Sequence, residues 1–265
     1  MKNEKLLRWL NLYAVIAIIV FNALANAIPF NNKTTGEISD QFQVYFVPAG
    51  YVFSIWGLIY LALAVFAIYQ LLPGELGNKR IERIGYLFIA SSIANICWLF
   101  SWHYEMFSLS VVIMLVLLVS LVAIYLRLDI GRVQASSRER WFLEVPFSLY
   151  LGWITVATIA NITTFLDYTG WEGWGIPPET WAMLLLIITA IVGVLVTLTR
   201  RDAVYMGVFV WALAGIAVKQ AETAVVANTA WVMTAVAGFL LVVAIMLHQR
   251  YFKGNQSAAS QHSQD

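Results

Sequence analysis

The stretch that decides the fold is Phe46-Val47-Pro48-Ala49-Gly50-Tyr51-Val52-Phe53-Ser54-Ile55-Trp56-Gly57-Leu58-Ile59-Tyr60. A Pro-Gly break opens directly into an apolar run, fixing where a helix starts. Within that run Phe53, Trp56 and Tyr60 recur three and four residues apart, which stacks them on one helical face. An aromatic stripe inside a segment of membrane-spanning length reads as a helix whose side chains face a built site as well as lipid.

The rest of the chain fits a membrane setting. Of its 265 residues, 61% are hydrophobic and 12% charged, with a mean hydropathy of +0.76. Soluble domains run at about 45–50% apolar and about 25% charged. Apolar segments near the roughly 20 residues that a helix needs to cross the hydrocarbon core recur along the sequence, and the short alternating segments of a β-barrel do not. The expectation is an all-α integral membrane protein with eight spans, at about 8–28, 49–73, 84–103, 107–127, 142–164, 180–199, 203–220 and 229–249. Cys97 has no second cysteine to pair with, and no zinc-type spacing exists. A formal charge of +1 gives no reason to expect nucleic acid. No Ser-His-Asp set, phosphate-binding glycine loop or metal cluster argues for hydrolysis or nucleotide chemistry.

The charges test the span count independently. With the N-terminus inside, Lys2, Lys5 and Arg8, then Lys79, Arg80 and Arg83, then Arg127, Arg132, Arg138 and Arg140, then Arg200 and Arg201, then Arg250 and Lys253 all fall on the cytoplasmic side. Only Lys33 and Lys219 remain for the outer side, the bias that the positive-inside rule predicts. Both termini are therefore expected in the cytoplasm. The first segment also has a signal-peptide reading, since an apolar run ends in Ala25-Asn26-Ala27; its length favours retention as a span. Pro29 to Phe46 read as a polar outer loop, and a second outer loop carries Gly170, Trp171, Gly173, Trp174 and Gly175. The Ser- and Gln-rich stretch after Gly254 reads as a disordered tail.

Polar and aromatic residues recur at helical spacing where lipid would not favour them. Asn22 and Asn26 mark the first span, Asn95, Trp98 and Trp102 the third, and Trp153, Ala157 and Asn161 the fifth. An unpaired amide in hydrocarbon costs several kcal/mol, so these amides should face other helices or a cavity. At about 1.5 Å of rise per residue, Asn22, Asn26, Phe53, Trp56, Asn95, Trp98, Trp102 and Asn161 all lie in the outer half, with Trp153 near the middle. This convergence points to one pocket lined by aromatic rings and a few amides. Plain helix packing, with Asn as interhelical glue, explains the same pattern. Trp9, Trp141, Trp171, Trp174, Trp181 and Trp231 sit near span ends and read as interfacial belt residues. Glu144 reads as a carboxylate that snorkels or is ion-paired within reach of the Arg138 and Arg140 region, ahead of a proton relay, Lys219 and Glu222 as a pair three residues apart, and His103 as an interfacial histidine or an axial or proton-handling group.

These motifs resemble the tryptophan-rich sensory protein and translocator protein family (TspO/MBR), whose mitochondrial members were called peripheral benzodiazepine receptors. The resemblance covers about residues 8–165. The family's second helix begins with Pro-Pro-Gly-Trp-Val-Phe-x-x-x-Trp-x-x-x-Tyr. Pro48, Gly50, Val52, Phe53, Trp56 and Tyr60 fit in register, while Ala49 and Tyr51 depart from it. Asn95 and Trp98 match the third-helix Asn-x-x-Trp, and Trp153, Ala157 and Asn161 match the fifth. Pro146 and Phe147 are similar to a family Pro-Tyr pair but sit three residues too early.

The resemblance implies a five-helix core over residues 1–165, followed here by about three additional transmembrane helices in 166–250 and the tail, 251–265. It further implies a membrane receptor or sensor for a hydrophobic ligand, chiefly a porphyrin or other tetrapyrrole. No cofactor is required, the bound ligand being porphyrin or haem-like. The implied ligand-binding residues are Asn26, Phe53, Trp56, Tyr60, Asn95, Trp98, Trp102, Trp153, Ala157 and Asn161, with the ring held between Trp56, Trp98 and Trp153. A light- and oxygen-dependent porphyrin-modifying enzyme and a transporter of apolar molecules are the rival readings. The implied partners are an apolar small molecule, the lipid bilayer and a second copy in a homodimer, and the implied location is a bacterial cytoplasmic membrane.

Overall fold

A computed structural model describes residues 2–28 and 30–262, whose regular structure is entirely helical. Pro29, the first residue of the expected outer loop, lies outside the described residues. In chain order the helices are α1 (Lys2–Ala27), α2 (Thr35–Ser39), α3 (Ile55–Tyr69), α4 (Lys79–Ile84), α5 (Leu87–His103), α6 (Phe107–Arg127), α7 (Ser137–Glu139), α8 (Val145–Tyr168), α9 (Pro178–Arg200), α10 (Ala203–Lys219) and α11 (Ala224–His262). Among the described residues six segments are long and apolar enough to cross a membrane: Glu4–Ala27, Gly50–Tyr69, Phe107–Arg127, Ser137–Tyr168, Pro178–Arg200 and Ala224–Tyr251. Two shorter apolar helices, Leu87–His103 and Ala203–Lys219, stand where the third and seventh spans are expected. The chain is a multi-pass, all-α membrane protein.

Local chemistry sets the boundaries. The Pro-Gly break gives a 3-10 turn, Gly50–Ser54, before α3 begins at Ile55, so Phe53 lies in the turn and Trp56 and Tyr60 in the helix. Ahead of α8 the backbone widens into a π turn at Arg140–Glu144. Pro146, two residues on, lacks an N–H and would crowd the carbonyl four residues back, and a wider turn relieves both problems. α9 ends at Arg201 in the left-handed region (φ 55°), and Asp202 caps α10 by accepting from the Val204 and Tyr205 amides at 3.0 and 3.1 Å. The last helix continues to His262, through the stretch that composition reads as disordered; residues 263–265 lie outside the described residues.

α1 packs on α3 and α5, α5 on α6, α6 on α8, and α8 back on α3, which closes a five-helix core. The remaining helices dock through α10, which lies between α8 and α11, while α9 packs on α11. Small residues allow the close approach. At Gly152 of α8 an added Cβ would meet Val208 Cβ at 3.1 Å and the Tyr205 carbonyl at 3.3 Å.

Hydrogen bonds gather the basic clusters at one end of the bundle, the basic end. Arg8, only 2% exposed, reaches the Gln70 carbonyl, the Glu75 carbonyl at 2.8 Å and Glu4 at 2.7 Å. Arg80 bonds the Leu128 carbonyl at 2.7 Å and pairs with Glu144 at 2.5 Å. Glu144 is thus ion-paired as expected, but across to the α4 arginine; Arg138 and Arg140 are nearer in sequence, yet the fold brings Arg80 against α8. At the opposite end, the roof end, Lys219 pairs with Asp40 rather than with Glu222. α10 there lies against the loop that carries Asp40, so a partner from another element wins over the neighbour in sequence.

Candidate ligand-binding site

The expected polar loop is a folded roof. Thr34 accepts from the Glu37 amide at 3.3 Å and the Glu37 carboxylate accepts from the Thr34 amide at 2.7 Å, a reciprocal cap that starts α2. The Thr34 N–H and hydroxyl hold the Glu37 carboxyl below the usual carboxylate range. The roof is pinned to α5. Trp102 Nε1 donates to the Thr35 carbonyl at 3.2 Å, and His103, fully buried, sits between Phe30 and Thr35. His103 Nδ1 faces the Phe30 carbonyl at 3.2 Å and must donate to it, leaving Nε2 to accept from Thr35 Oγ1 at 3.1 Å. Both ring nitrogens are occupied by the roof, so neither is free to serve as an axial ligand in this arrangement.

Beneath the roof lies a cavity of about 360 Å³, bounded by Asn22, Asn26, Phe53, Trp56, Tyr60 and Trp98, with Thr35, Glu37 and Asp40 above. A smaller one of about 40 Å³ adjoins it, sharing Thr35, Phe53, Trp56 and Trp98 and adding Trp102, Trp153, Ala157 and Asn161. Nine of the ten residues expected at a site therefore border these two spaces. Asn95 does not line either cavity.

The aromatic residues form one continuous cluster. Trp56 stacks on Tyr60 with ring centroids 5.5 Å apart, and Trp98 on Trp102 at 5.7 Å. Trp56 lies 6.3 Å from Trp98 and 6.1 Å from Trp153, the latter edge-on, and Phe53 lies 5.8 Å edge-on from Trp153. A ring inserted between two faces needs about 7 Å, two carbon contact distances. Trp56, Trp98 and Trp153 thus contact one another with no gap of that width between them, and the open space lies on the cavity side of Trp56, Tyr60 and Trp98.

The amides act mainly on the protein. Asn22 Nδ2 donates to Asn95 Oδ1 at 3.1 Å, joining α1 to α5. Asn161 Oδ1 accepts from Trp98 Nε1 at 3.2 Å while its Nδ2 donates to Ser110 Oγ at 2.9 Å, joining α8, α5 and α6. Asn26, exposed at the cavity edge, gives its Nδ2 to the Asn22 carbonyl at 2.8 Å. Three other polar atoms behave differently. Tyr60 OH, Trp153 Nε1 and Thr164 Oγ1 are buried with no partner among the described residues, and all three residues line the cavities. Buried polar atoms are nearly always satisfied, so these mark the wall that offers hydrogen bonds to an occupant. Thr164 escaped notice in the sequence although it lies three residues beyond Asn161, on the same face.

The C-terminal helices brace the turn before α3 and the roof loop. Trp211 Nε1 donates to the Val52 carbonyl at 3.0 Å, and the Ala49 amide to the Gly215 carbonyl at 3.1 Å. Gln220 Nε2 donates to the Tyr45 carbonyl at 3.1 Å and Tyr45 OH to Glu179 Oε1 at 2.9 Å, a carboxylate bond that pushes the phenol's pKa up. The Trp9, Trp141, Trp174 and Trp231 rings are exposed, as a belt requires. Trp171 and Trp181 are not: they line a separate cavity between α8 and α9.

A family model described as TSPO-like protein matches residues 8–246. The match includes α9, α10 and most of α11, so these helices belong to the matched region, beyond the residues 8–165 that the motifs alone delimited. No curated protein and no solved structure matches the chain.

Proposed function

The chain belongs to the TSPO-like protein family, and on that basis we propose that it is a membrane receptor for a flat apolar ligand, a porphyrin or related tetrapyrrole. The ligand would rest beneath the α2 roof on the aromatic face of Trp56, Tyr60 and Trp98. One observation carries this reading: the aromatic cavities hold buried donors, Tyr60 OH and Trp153 Nε1 among them, with no hydrogen-bond partner among the described residues. Large rigid rings suit such a ligand, offering apolar area at low entropy cost. Glu37 and Asp40 stand at the roof, the latter paired with Lys219, so affinity would come from the ring system rather than from a cationic receptor for its carboxylates.

Titration of the purified protein with protoporphyrin is expected to quench tryptophan fluorescence saturably. Replacing Trp56→Phe together with Trp153→Phe should weaken binding about tenfold, roughly the loss of one or two aromatic contacts. Unchanged affinity in a folded double variant would remove the pocket from consideration.

A further inference from the structure

The cavity between α8 and α9 is separate from the aromatic site and has a different chemistry. It measures about 340 Å³ and is bounded by Ile159 and Ile162 of α8, Leu185 of α9, and the rings of Trp171 and Trp181. Tyr45 and Phe46 close it from the roof loop. That is the size of a pocket for a small organic molecule, with the apolar walls such pockets have.

The loop that forms its rim is built to a specific shape. Gly173, Trp174 and Gly175 are all left-handed, with φ of 65°, 54° and 77°. This conformation folds the loop over Trp181, whose Nε1 donates to the Gly173 carbonyl at 2.9 Å. Trp171 and Trp181 face each other at 5.2 Å. Gly173 has no room for a side chain, since an added Cβ would stand 3.0 Å from Trp181 Nε1. The two glycines take this conformation freely, whereas Trp174 is held in it at a steric cost.

Its charge is one-sided. Asp167 and Glu172 line the cavity, and no Lys, Arg or His does. Among the described residues neither acid has an ion-pair partner. Asp167 also lies in the last turn of α8, where the helix's own carbonyl ends already concentrate negative charge and an acid is disfavoured. Both carboxylates are exposed and solvated in the empty cavity, so a cation seated there gains from two like charges at its edge, and the neighbouring indole faces attract cations as well.

We propose that this cavity is a second ligand site, which takes an amphiphile with an apolar body and an ammonium group. The body would lie along Ile159, Ile162 and Leu185, and the ammonium between Trp171, Asp167 and Glu172. The proposal is independent of the tetrapyrrole reading, because none of these residues borders the aromatic site.

The test is equilibrium dialysis of the full-length protein in a neutral detergent with 4-phenylbutyltrimethylammonium, set against the size-matched anion 4-phenylbutylsulfonate. The cation is expected to bind saturably and the anion at least about tenfold more weakly. Asp167→Asn, at an exposed position that folding tolerates, should weaken the cation about three- to fivefold, as loss of one solvated charge contact to a quaternary ammonium does. Trp56→Phe with Trp153→Phe should leave it unchanged, which separates failure here from failure of the first site. Displacement of the probe on transfer to phosphatidylcholine nanodiscs, but not to phosphatidylglycerol ones, would support the proposal with a lipid headgroup as the source. Retention of the probe in both would support it with a soluble amine. Equal binding of cation and anion, or an Asp167→Asn protein with unaltered affinity, would overturn the proposal.

Discussion

Two buried polar residues show what single side chains contribute. Asn161 uses both ends of its amide, accepting from Trp98 and donating to Ser110, and so fixes the orientation of a ring that borders both cavities. Asp202, 6% exposed, does more: its carboxylate accepts from Tyr125 OH at 2.8 Å on α6, from Ser148 Oγ at 2.6 Å on α8, and from two amides of α10. A carboxylate with four donors joins the core to the C-terminal helices at the basic end. Replacing Asp202→Ala leaves all four donors without it and should cost roughly 2–4 kcal/mol in unfolding experiments in detergent. Asp202→Asn keeps the cap and should recover part of the loss. A shift under about 0.5 kcal/mol for the alanine variant would mean that the carboxylate does not hold the two parts together.

At the scale of elements, α10 is the connector. It touches α8 along Gly152 and reaches the start of α3 through Trp211 and Gly215. An added Cβ at Gly215 would come within 2.2 Å of Val52 Cγ2 and 3.3 Å of Pro48 Cβ. Pro48 lines the smaller cavity and Gly50 the larger. Gly215→Ala should therefore push α10 off this turn, cost about 1–3 kcal/mol through overpacking, and alter tetrapyrrole affinity at a site it does not touch. Gly238→Ala in α11, where an added Cβ meets nothing within 4 Å, is the matched control. It should be neutral or stabilising by about 0.5–1 kcal/mol, the usual helical preference for alanine. Equal behaviour of the two variants would show that α10 does not press on the turn before α3. The break at Pro48 and the aromatic spacing of α3 are both visible in sequence, but the helix that braces the break lies about 160 residues away in the chain.

For the whole molecule, the bundle brings Arg8 of α1 and Tyr251 of α11 to the basic end, where Arg8, Arg80 and Arg132 bond between elements. We propose that this end faces the cytoplasm, because the charge bias that orients membrane proteins counts arginines and lysines near span ends. In a Cys97→Ser background, a membrane-impermeant thiol reagent applied to intact cells should label Thr169→Cys, at the roof end, and spare Gln134→Cys, at the basic end. Both positions are exposed. The reverse labelling pattern would invert the orientation. The roof ion pair between Lys219 and Asp40 is partly solvated, and pairs of that kind contribute little to stability. The C-terminal helices are held instead by the Asp202 cluster, by packing, and by the bonds from Trp211, Gln220 and Tyr45.

Composition and local pattern alone settle the solvent and the fold class. In hydrocarbon every backbone polar group must bond within its own segment, so a long apolar run can only be a helix, and that property is local. Local pattern also determined the aromatic stripes, because a face is set by spacing along one helix. The partners were decided by the tertiary structure. Whether Asn95 meets a ligand or Asn22, whether Lys219 pairs with Glu222 or Asp40, and whether Trp171 faces lipid or a cavity all depend on which elements are adjacent. Contacts such as Tyr45–Glu179, 134 residues apart, have no local signature. In Pro48 to Tyr60 the two meet: sequence set the turn and the aromatic face, and packing against α8 and α10 fixed what that face looks onto.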